Sequence, residues 1–359
     1  MLCVLFAVFA AGFGLAETIA PDRLVSSAER RRLRQKPEFT VQSLLSGEYA
    51  ERSEEYLADQ FPLRQELRGV KALWEFKALG KKDSDGVYLS GGSVCAVPNA
   101  LDEGQINALV NKVNAVNELY LGGLNAYFAA VPDKAGYAPV RGMQSFDYAA
   151  ADALLRAGLA GGIRYLGFDP CGGLGLEDYY KTDIHWRQEK LQSVVDALGA
   201  AMDFRSGDVA GYEGHTFTPF YGAYAGQAAL GGSDDIVCLR PAGAENAVVT
   251  GLDFDGEKPM YDEADFAHLD GYDVFLGGPQ TVVTVENPAG KTGRELYIFR
   301  DSFASSLAPL LLSGYDRITL IDLRYISAQL VGDYVRFTPG ADALFLYSTE
   351  VLNRGRLLK

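Results

Sequence analysis

Residues that bind metals or cross-link a chain are scarce in this sequence. Its 359 residues include four cysteines and three histidines. The cysteines stand at positions 3, 95, 171 and 238 with no C-x-x-C pair, which excludes the common zinc frameworks and a disulfide-stapled scaffold. One bridge, such as Cys171 to Cys238, fits an extracellular chain, but buried free thiols are the expected state. Three scattered histidines argue against a His-based metal centre. Positive charge is also short. The 33 Lys and Arg face 47 Asp and Glu, a formal net charge of −14, which repels phosphate and excludes nucleic acid as a partner. Long apolar runs are missing except at the start, where residues 2–16 are uncharged. That stretch is short for a membrane span and has the length of a signal-peptide core, with Gly14-Leu15-Ala16 offering small residues for cleavage. It lacks the usual basic start. We read it as a signal peptide, with a retained membrane anchor as the alternative. No internal repeat or low-complexity tract is present.

What remains is the composition of a globular protein, 48% hydrophobic and 22% charged. The length suits one large α/β domain with extensions. After the signal or anchor (1–16), residues 17–84 read as a stem with helices at 48–58 and 65–79, separated by Pro62. The basic run Glu29-Arg30-Arg31-Arg32-Leu33-Arg34 reads as a solvated surface linker. A hairpin follows, 87–89 against 94–97, turning at Gly91-Gly92. From residue 101, helical stripes alternate with short apolar runs. Ile106, Leu109, Val110, Val113 and Val116 share a helix face, and 124–131 is apolar but for Asn125, as a buried parallel strand should be. Strands at 163–168, 296–299, 318–323 and 343–347, with helices at 146–159, 191–202 and 303–312, predict a parallel sheet covered on both faces over 85–359. Residues 204–291 break the rhythm and read as an insertion over the sheet that helps form a cleft, with short strands at 248–251, 274–276 and 282–285.

Two stretches carry chemistry. In Tyr179-Tyr180-Lys181-Thr182-Asp183-Ile184-His185-Trp186, a carboxylate and an imidazole two residues apart precede a helix. In Glu295-Leu296-Tyr297-Ile298-Phe299-Arg300-Asp301-Ser302-Phe303, an apolar strand runs into a serine that opens a helix. The second has the context of a nucleophile elbow, where helix N–H groups face an oxyanion, although G-x-S-x-G is absent. A serine hydroxyl needs a base, imidazole is that base, and a carboxylate fixes its tautomer. The competing readings are ordinary. Asp301 and Ser302 serve equally as helix caps, and Asp183 and His185 as a cap and a core-edge residue beside Trp186. Gly172-Gly173-Leu174-Gly175 lacks the flanks of a dinucleotide loop and reads as a turn.

Taken together, residues 179–186 resemble the signature of the DHHW family, with Ile184 where the family has its first His. Thr182-Asp183-Ile184-His185-Trp186 is also similar to the D-x-H-W element of the alginate O-acetylation proteins, which carry an SGNH-hydrolase-like domain. The segments at 59–64, 131–134, 220–224, 272–278 and 300–303 through 321–325 fit the DHHW pattern, so the resemblance spans about residues 27–353. It implies an exported α/β protein of SGNH-hydrolase-like (flavodoxin-like) fold at the bacterial cell surface. The implied roles are Ser302 as nucleophile, His185 as base and Asp183 as its orienter. The implied chemistry is transfer or hydrolysis of an acetyl ester on a polysaccharide or other glycan, with no metal or cofactor and with a membrane-bound acetylation partner. Gly278 and Gln280 are the expected oxyanion donors, Gln280 standing where the pattern has Asn. Arg324 is expected to orient substrate or stabilise charge, or to form a structural ion pair with Asp322. Trp186, Tyr221 and Tyr224 are expected along an aromatic cleft, with core or rim packing the more ordinary reading for any one of them. Arg300 replaces the Gly usual before Asp-Ser. A chain that kept the fold and lost turnover, serving as a glycan-binding scaffold, is the alternative.

Overall fold

The computed structural model describes residues 1, 4, 12, 20–230 and 232–359. Apart from Val4 and Gly12, the stretch read as signal peptide or anchor, with Cys3, lies outside the described residues. Among the described residues no helix is long and apolar enough to cross a membrane, and no cluster of three His, Cys, Asp or Glu could hold a metal. Cys95, Cys171 and Cys238 are buried free thiols, so the Cys171–Cys238 bridge is not formed.

Two hairpins come first, β1 (Val25–Ser26) with β2 (Arg31–Arg32), then β3 (Val87–Ser90) with β4 (Ser93–Ala96). Next are β5 (Asn125–Val131) and β6 (Ile163–Gly167), then an antiparallel pair, β7 (Glu213–Phe220) and β8 (Asp234–Arg240). The chain continues through β9 (Val248–Gly251), β10 (Lys258–Pro259), β11 (Val282–Glu286), β12 (Glu295–Arg300), β13 (Arg317–Ile321) and β14 (Asp342–Ser348). The central sheet has the order β10-β9-β11-β13-β12-β14-β5-β6. From β13 to β6 neighbours are parallel, whereas β11, β9 and β10 pair antiparallel.

The sheet is therefore mixed rather than wholly parallel. The segment 204–291 does not simply lie over it. Its β9, β10 and β11 lengthen the sheet at one edge. Residues 274–276 are not a strand: Gly271–Val274 is a 3-10 turn, and Phe275 makes only an isolated bridge to Tyr261. The β7–β8 pair has no strong sequence signature. Most of β7 is exposed and Pro219 interrupts its register, so alternation is weak.

Strand residues alternate between two cores. On β12, Leu296 and Ile298 face one side and Tyr297 and Phe299 the other; β5 and β14 do the same. The first core is covered by the helices Gln192–Met202 and Phe303–Leu307, the second by Glu103–Tyr120 and Tyr148–Gly158. In Gln192–Met202 the side chains of Val194, Val195, Leu198 and Met202 are buried, each worth roughly 1.5–3 kcal/mol. The parallel strands β5, β12, β13 and β14 all end on one side of the sheet. That edge is where open α/β sheets place their sites.

The stem contains helices Val41–Ser46, Glu48–Gln60 and Arg64–Leu73, the last continuing as a π-turn over Trp74–Ala78. The basic run is not a solvated linker. It forms the turn and second strand of the first hairpin. Arg31 there donates to both oxygens of Asp59, at 2.8 and 2.6 Å.

Candidate active site

The loop before the helix Gln192–Met202 closes on itself. Tyr180 N–H donates to the carbonyl of His185 at 3.1 Å, and Tyr179 bridges to Trp186. A loop this tight turns its backbone polar groups outward, and each needs a partner. Asp234, the first residue of β8, accepts from the backbone N–H groups of Lys181 (2.9 Å) and Thr182 (2.8 Å) and from the Thr182 hydroxyl (2.6 Å). Lys134, just past β5 and 2% exposed, donates from Nζ to three carbonyls, those of Tyr180 (2.9 Å), Lys181 (3.2 Å) and Asp183 (2.8 Å). Burial lowers the Lys134 ammonium to about 8, against partial compensation from neighbouring anions. Val94 and Tyr224 N–H groups complete the set.

Held this way, the loop presents Asp183 and His185 side by side. The Asp183 Oδ1 lies 2.6 Å from His185 Nδ1, and His185 Nε2 lies 2.7 Å from Ser302 Oγ. Asp183 is fully buried, and burial alone would push its carboxyl up. The His185 charge and hydrogen bond, helped by Arg30, hold it well below the ordinary carboxylate range instead. An ionised carboxylate only accepts. It therefore accepts the hydrogen bond of Nδ1–H and leaves Nε2 without a proton, free to accept the Ser302 hydroxyl.

Ser302 sits at the first turn after β12. Its side chain makes no capping bond to the helix Phe303–Leu307. Asp301 does that work: Oδ1 accepts the Phe303 N–H at 3.1 Å and Oδ2 accepts the Ser348 N–H of β14 at 2.7 Å. Arg300, with no exposed surface, donates to Ser305 Oγ (2.9 Å) and to the carbonyls of Gly278 (3.3 Å) and Gln280 (3.5 Å). The residue that departs from the SGNH pattern thus stitches the serine turn to the Gly277–Gln280 turn.

Ser302 opens into a cavity of about 110 Å³ whose lining includes Ile184, Arg324, Ser348, Glu350 and Arg354. A larger groove of about 710 Å³ shares Ile184, Glu350 and Arg354 with it and runs on past Lys134 and Tyr224. Arg324 both lines the serine cavity and holds Asp322 through two nitrogens, at 2.9 and 2.6 Å. Burial works against its charge, but the Asp322 bonds raise its pKa beyond the ordinary arginine value, so it is a fixed positive charge beside Ser302.

Other expected residues lie elsewhere. Trp186 is wholly buried; its Nε1 donates to the Phe303 carbonyl at 3.1 Å and to Ser306 Oγ at 2.9 Å. It is a core pin beneath the serine helix, not a cleft wall. Tyr221 lines a separate depression with Phe266, Asp270 and Asp273. Gly278 N–H is directed to the Phe275 carbonyl at 3.3 Å, and the Gln280 side-chain amide donates to Gly277 at 2.8 Å. Neither lines the cavity at Ser302. Lys134, Asp234 and Arg30, which organise the loop, carried no local signal of their role.

No protein-family model matches the sequence, and no curated protein matches it. Among solved structures, a DHHW family protein from Eubacterium siraeum superimposes with a TM-score of 0.62 at 19% identity, over 77% of this chain and 94% of that one. Bacillus cereus PatB1 gives a TM-score of 0.59 at 15% identity, over 76% and 98%. PatB1 with a sulfonyl adduct gives 0.59 at 16% identity, over 78% and 98%. At these identities the likeness is one of fold. The chain shares the α/β fold of these structures, a central sheet flanked by helices.

Proposed function

We propose that this protein is a serine-dependent O-acetyltransferase or acetylesterase acting on a glycan. The observation that carries the reading is the unbroken relay from Asp183 Oδ1 through His185 to Ser302 Oγ, at 2.6 and 2.7 Å. Ser302 Oγ attacks the acetyl carbonyl while His185 Nε2 takes its proton. The imidazolium, stabilised by Asp183, returns that proton to the departing alcohol, leaving an acetyl-serine. Water or a sugar hydroxyl then attacks the acetyl-serine, giving its proton to Nε2, which passes it back to Ser302 Oγ. The charge of Arg324 beside the cavity favours the oxyanion. No step requires a metal or cofactor. The groove past Tyr224 provides room for the sugar acceptor. The sulfonyl adduct on PatB1 fits a nucleophile in this fold.

A second reading, a glycan-binding scaffold without turnover, draws on the Gly277–Gln280 turn, whose donors are spent within the turn. An N-terminal signal or anchor fits work at the cell surface, where a membrane-bound partner would supply acetyl groups. Hydrolysis of p-nitrophenyl acetate separates the two readings. The acyl-transfer reading predicts turnover that falls by about a thousandfold or more in Ser302→Ala and His185→Ala. Wild-type turnover equal to that of Ser302→Ala supports the scaffold.

A further inference from the structure

We infer that Arg30, delivered by the N-terminal hairpin, is a positioning residue of the same relay, an inference that rests on the acyl-transfer reading of Ser302. Its Nη1 lies 3.3 Å from Asp183 Oδ2, across 153 residues of sequence. The other terminal nitrogen pairs with Asp270.

Asp183 is fully furnished with donors. Oδ1 takes the His185 N–H (3.0 Å) and Nδ1; Oδ2 takes the Ala223 N–H (2.7 Å) and Arg30. The Ala223 and Arg30 donors arrive from one packed unit. A Cβ on Gly226, in the helix Ala223–Ala228, would fall 2.6 Å from the Ala28 carbonyl and from the Glu29 Cα, so the hairpin rests directly on that helix. Arg30 itself sits at the hairpin turn with φ +52°, a left-handed conformation that non-glycine residues adopt only where surroundings impose it.

The surroundings are an ion network reaching back to the stem. Glu29 pairs with Arg31 (2.9 Å), Arg64 and Arg68 (3.4 Å). Arg31 grips Asp59, whose Oδ2 also accepts the Arg34 N–H at 2.9 Å. The stem helices thereby set where Arg30 points.

Charge balance explains the need for it. Arg30 faces Asp183, Asp270 and Asp273. Asp273 has His268 at 3.6 Å. Asp183 is otherwise met by His185, by Lys134 through its carbonyl, and by the rings of Tyr180, Tyr224 and Tyr272. Without the guanidinium, three carboxylates would share a small volume and one would take up a proton. Asp273, whose carboxyl burial already raises, would take it, and Asp183 Oδ2, left with the Ala223 N–H alone, would let the carboxylate turn away from Nδ1–H.

The test is downfield proton NMR of the full chain, read with p-nitrophenyl acetate turnover. The His185 Nδ1–H resonance is assigned by its loss in Asp183→Asn. In Arg30→Gln it should broaden away, and kcat should fall by about ten- to hundredfold, the value of a charge-assisted hydrogen bond, while KM stays within about twofold. Arg30→Lys, which keeps the charge, should retain the resonance and recover most of the rate. An unchanged resonance with kcat within about twofold of wild type in Arg30→Gln overturns the inference. If the resonance behaves as expected but wild-type turnover equals that of Ser302→Ala, positioning by Arg30 stands and the acyl-transfer reading fails.

Discussion

The imidazole of His185 lies flat on the ring of Tyr272, centroids 3.7 Å apart and planes 5° from parallel. The Tyr272 hydroxyl donates to Ser306 Oγ at 2.8 Å, and Trp186 donates to that same oxygen. The base is thus held on the face it does not use for chemistry. Tyr272→Phe keeps the stack and should cost about 1 kcal/mol of stability for the lost hydrogen bond, with kcat nearly unchanged. Tyr272→Ala removes the support and should cost about 3–5 kcal/mol and lower kcat by more than about tenfold. Urea unfolding and p-nitrophenyl acetate kinetics measure both.

Gly222 tests how tightly the 180–185 loop is seated. Its φ of −72° is open to any residue, but a Cβ there would lie 2.3 Å from the Thr182 carbonyl oxygen and 2.4 Å from Asp183 Cβ. One methyl group must therefore push Asp183. Gly222→Ala should destabilise by about 1–3 kcal/mol and reduce turnover by about tenfold or more, with Ser302 intact. An alanine variant of native activity would mean the loop tolerates displacement.

Lys134 and Asp234 clamp the same loop from opposite sides, one on its carbonyls and one on its N–H groups. Lys134→Met takes the ammonium from three carbonyls, leaving Lys181 with the Val94 N–H, and should cost about 2–4 kcal/mol in denaturant unfolding, as should Asp234→Ala. The double variant should cost less than the sum, because either change alone frees the loop.

Two buried groups of the loop change protonation differently in the folded and unfolded chain. Asp183 is depressed on folding, so its contribution to stability is complete above the ordinary carboxyl value of 3.8 and is lost as pH falls through its folded value. The stability gap between wild type and Asp183→Asn should therefore shrink below about pH 4. Lys134 is lowered to about 8 from 10.5. Between those values the unfolded chain holds a proton the folded chain does not, so this group adds stability as pH rises through the window. The amine has fewer donors for three carbonyls, so turnover should decline above pH about 8 in the wild type and hold to higher pH in Lys134→Arg. Coincident profiles for the two proteins would show that Lys134 does not limit activity.

What could be read in the sequence was local. Ser302 stands at a strand-to-helix boundary, and Asp183 and His185 stand two residues apart, so residue type and short-range pattern pointed to them. The parallel strands were legible because burial on both faces makes them continuously apolar. Arg30 and Asp234 were not, because charged residues in a polar stretch carry no periodicity that singles one out, and Asp183 lies 153 residues from Arg30. Lys134 sat in a segment that fits the DHHW pattern, but its role depends on a loop folded 46 to 49 positions away. Trp186 misled because an indole beside a catalytic motif suits a cleft and a core equally, and only packing decides. Gly278 and Gln280 misled because their backbone turn uses the donors itself, through three successive residues, Leu276 to Gly278, at positive φ.

The central claim is that Ser302 is a nucleophile activated by His185. Labelling with a fluorophosphonate, followed by peptide mass spectrometry, addresses it without any knowledge of the natural substrate. A single adduct on Ser302, absent in Ser302→Ala and strongly slowed in His185→Ala, is the predicted result. An unlabelled protein, or an adduct on another residue that persists in Ser302→Ala, would contradict the account.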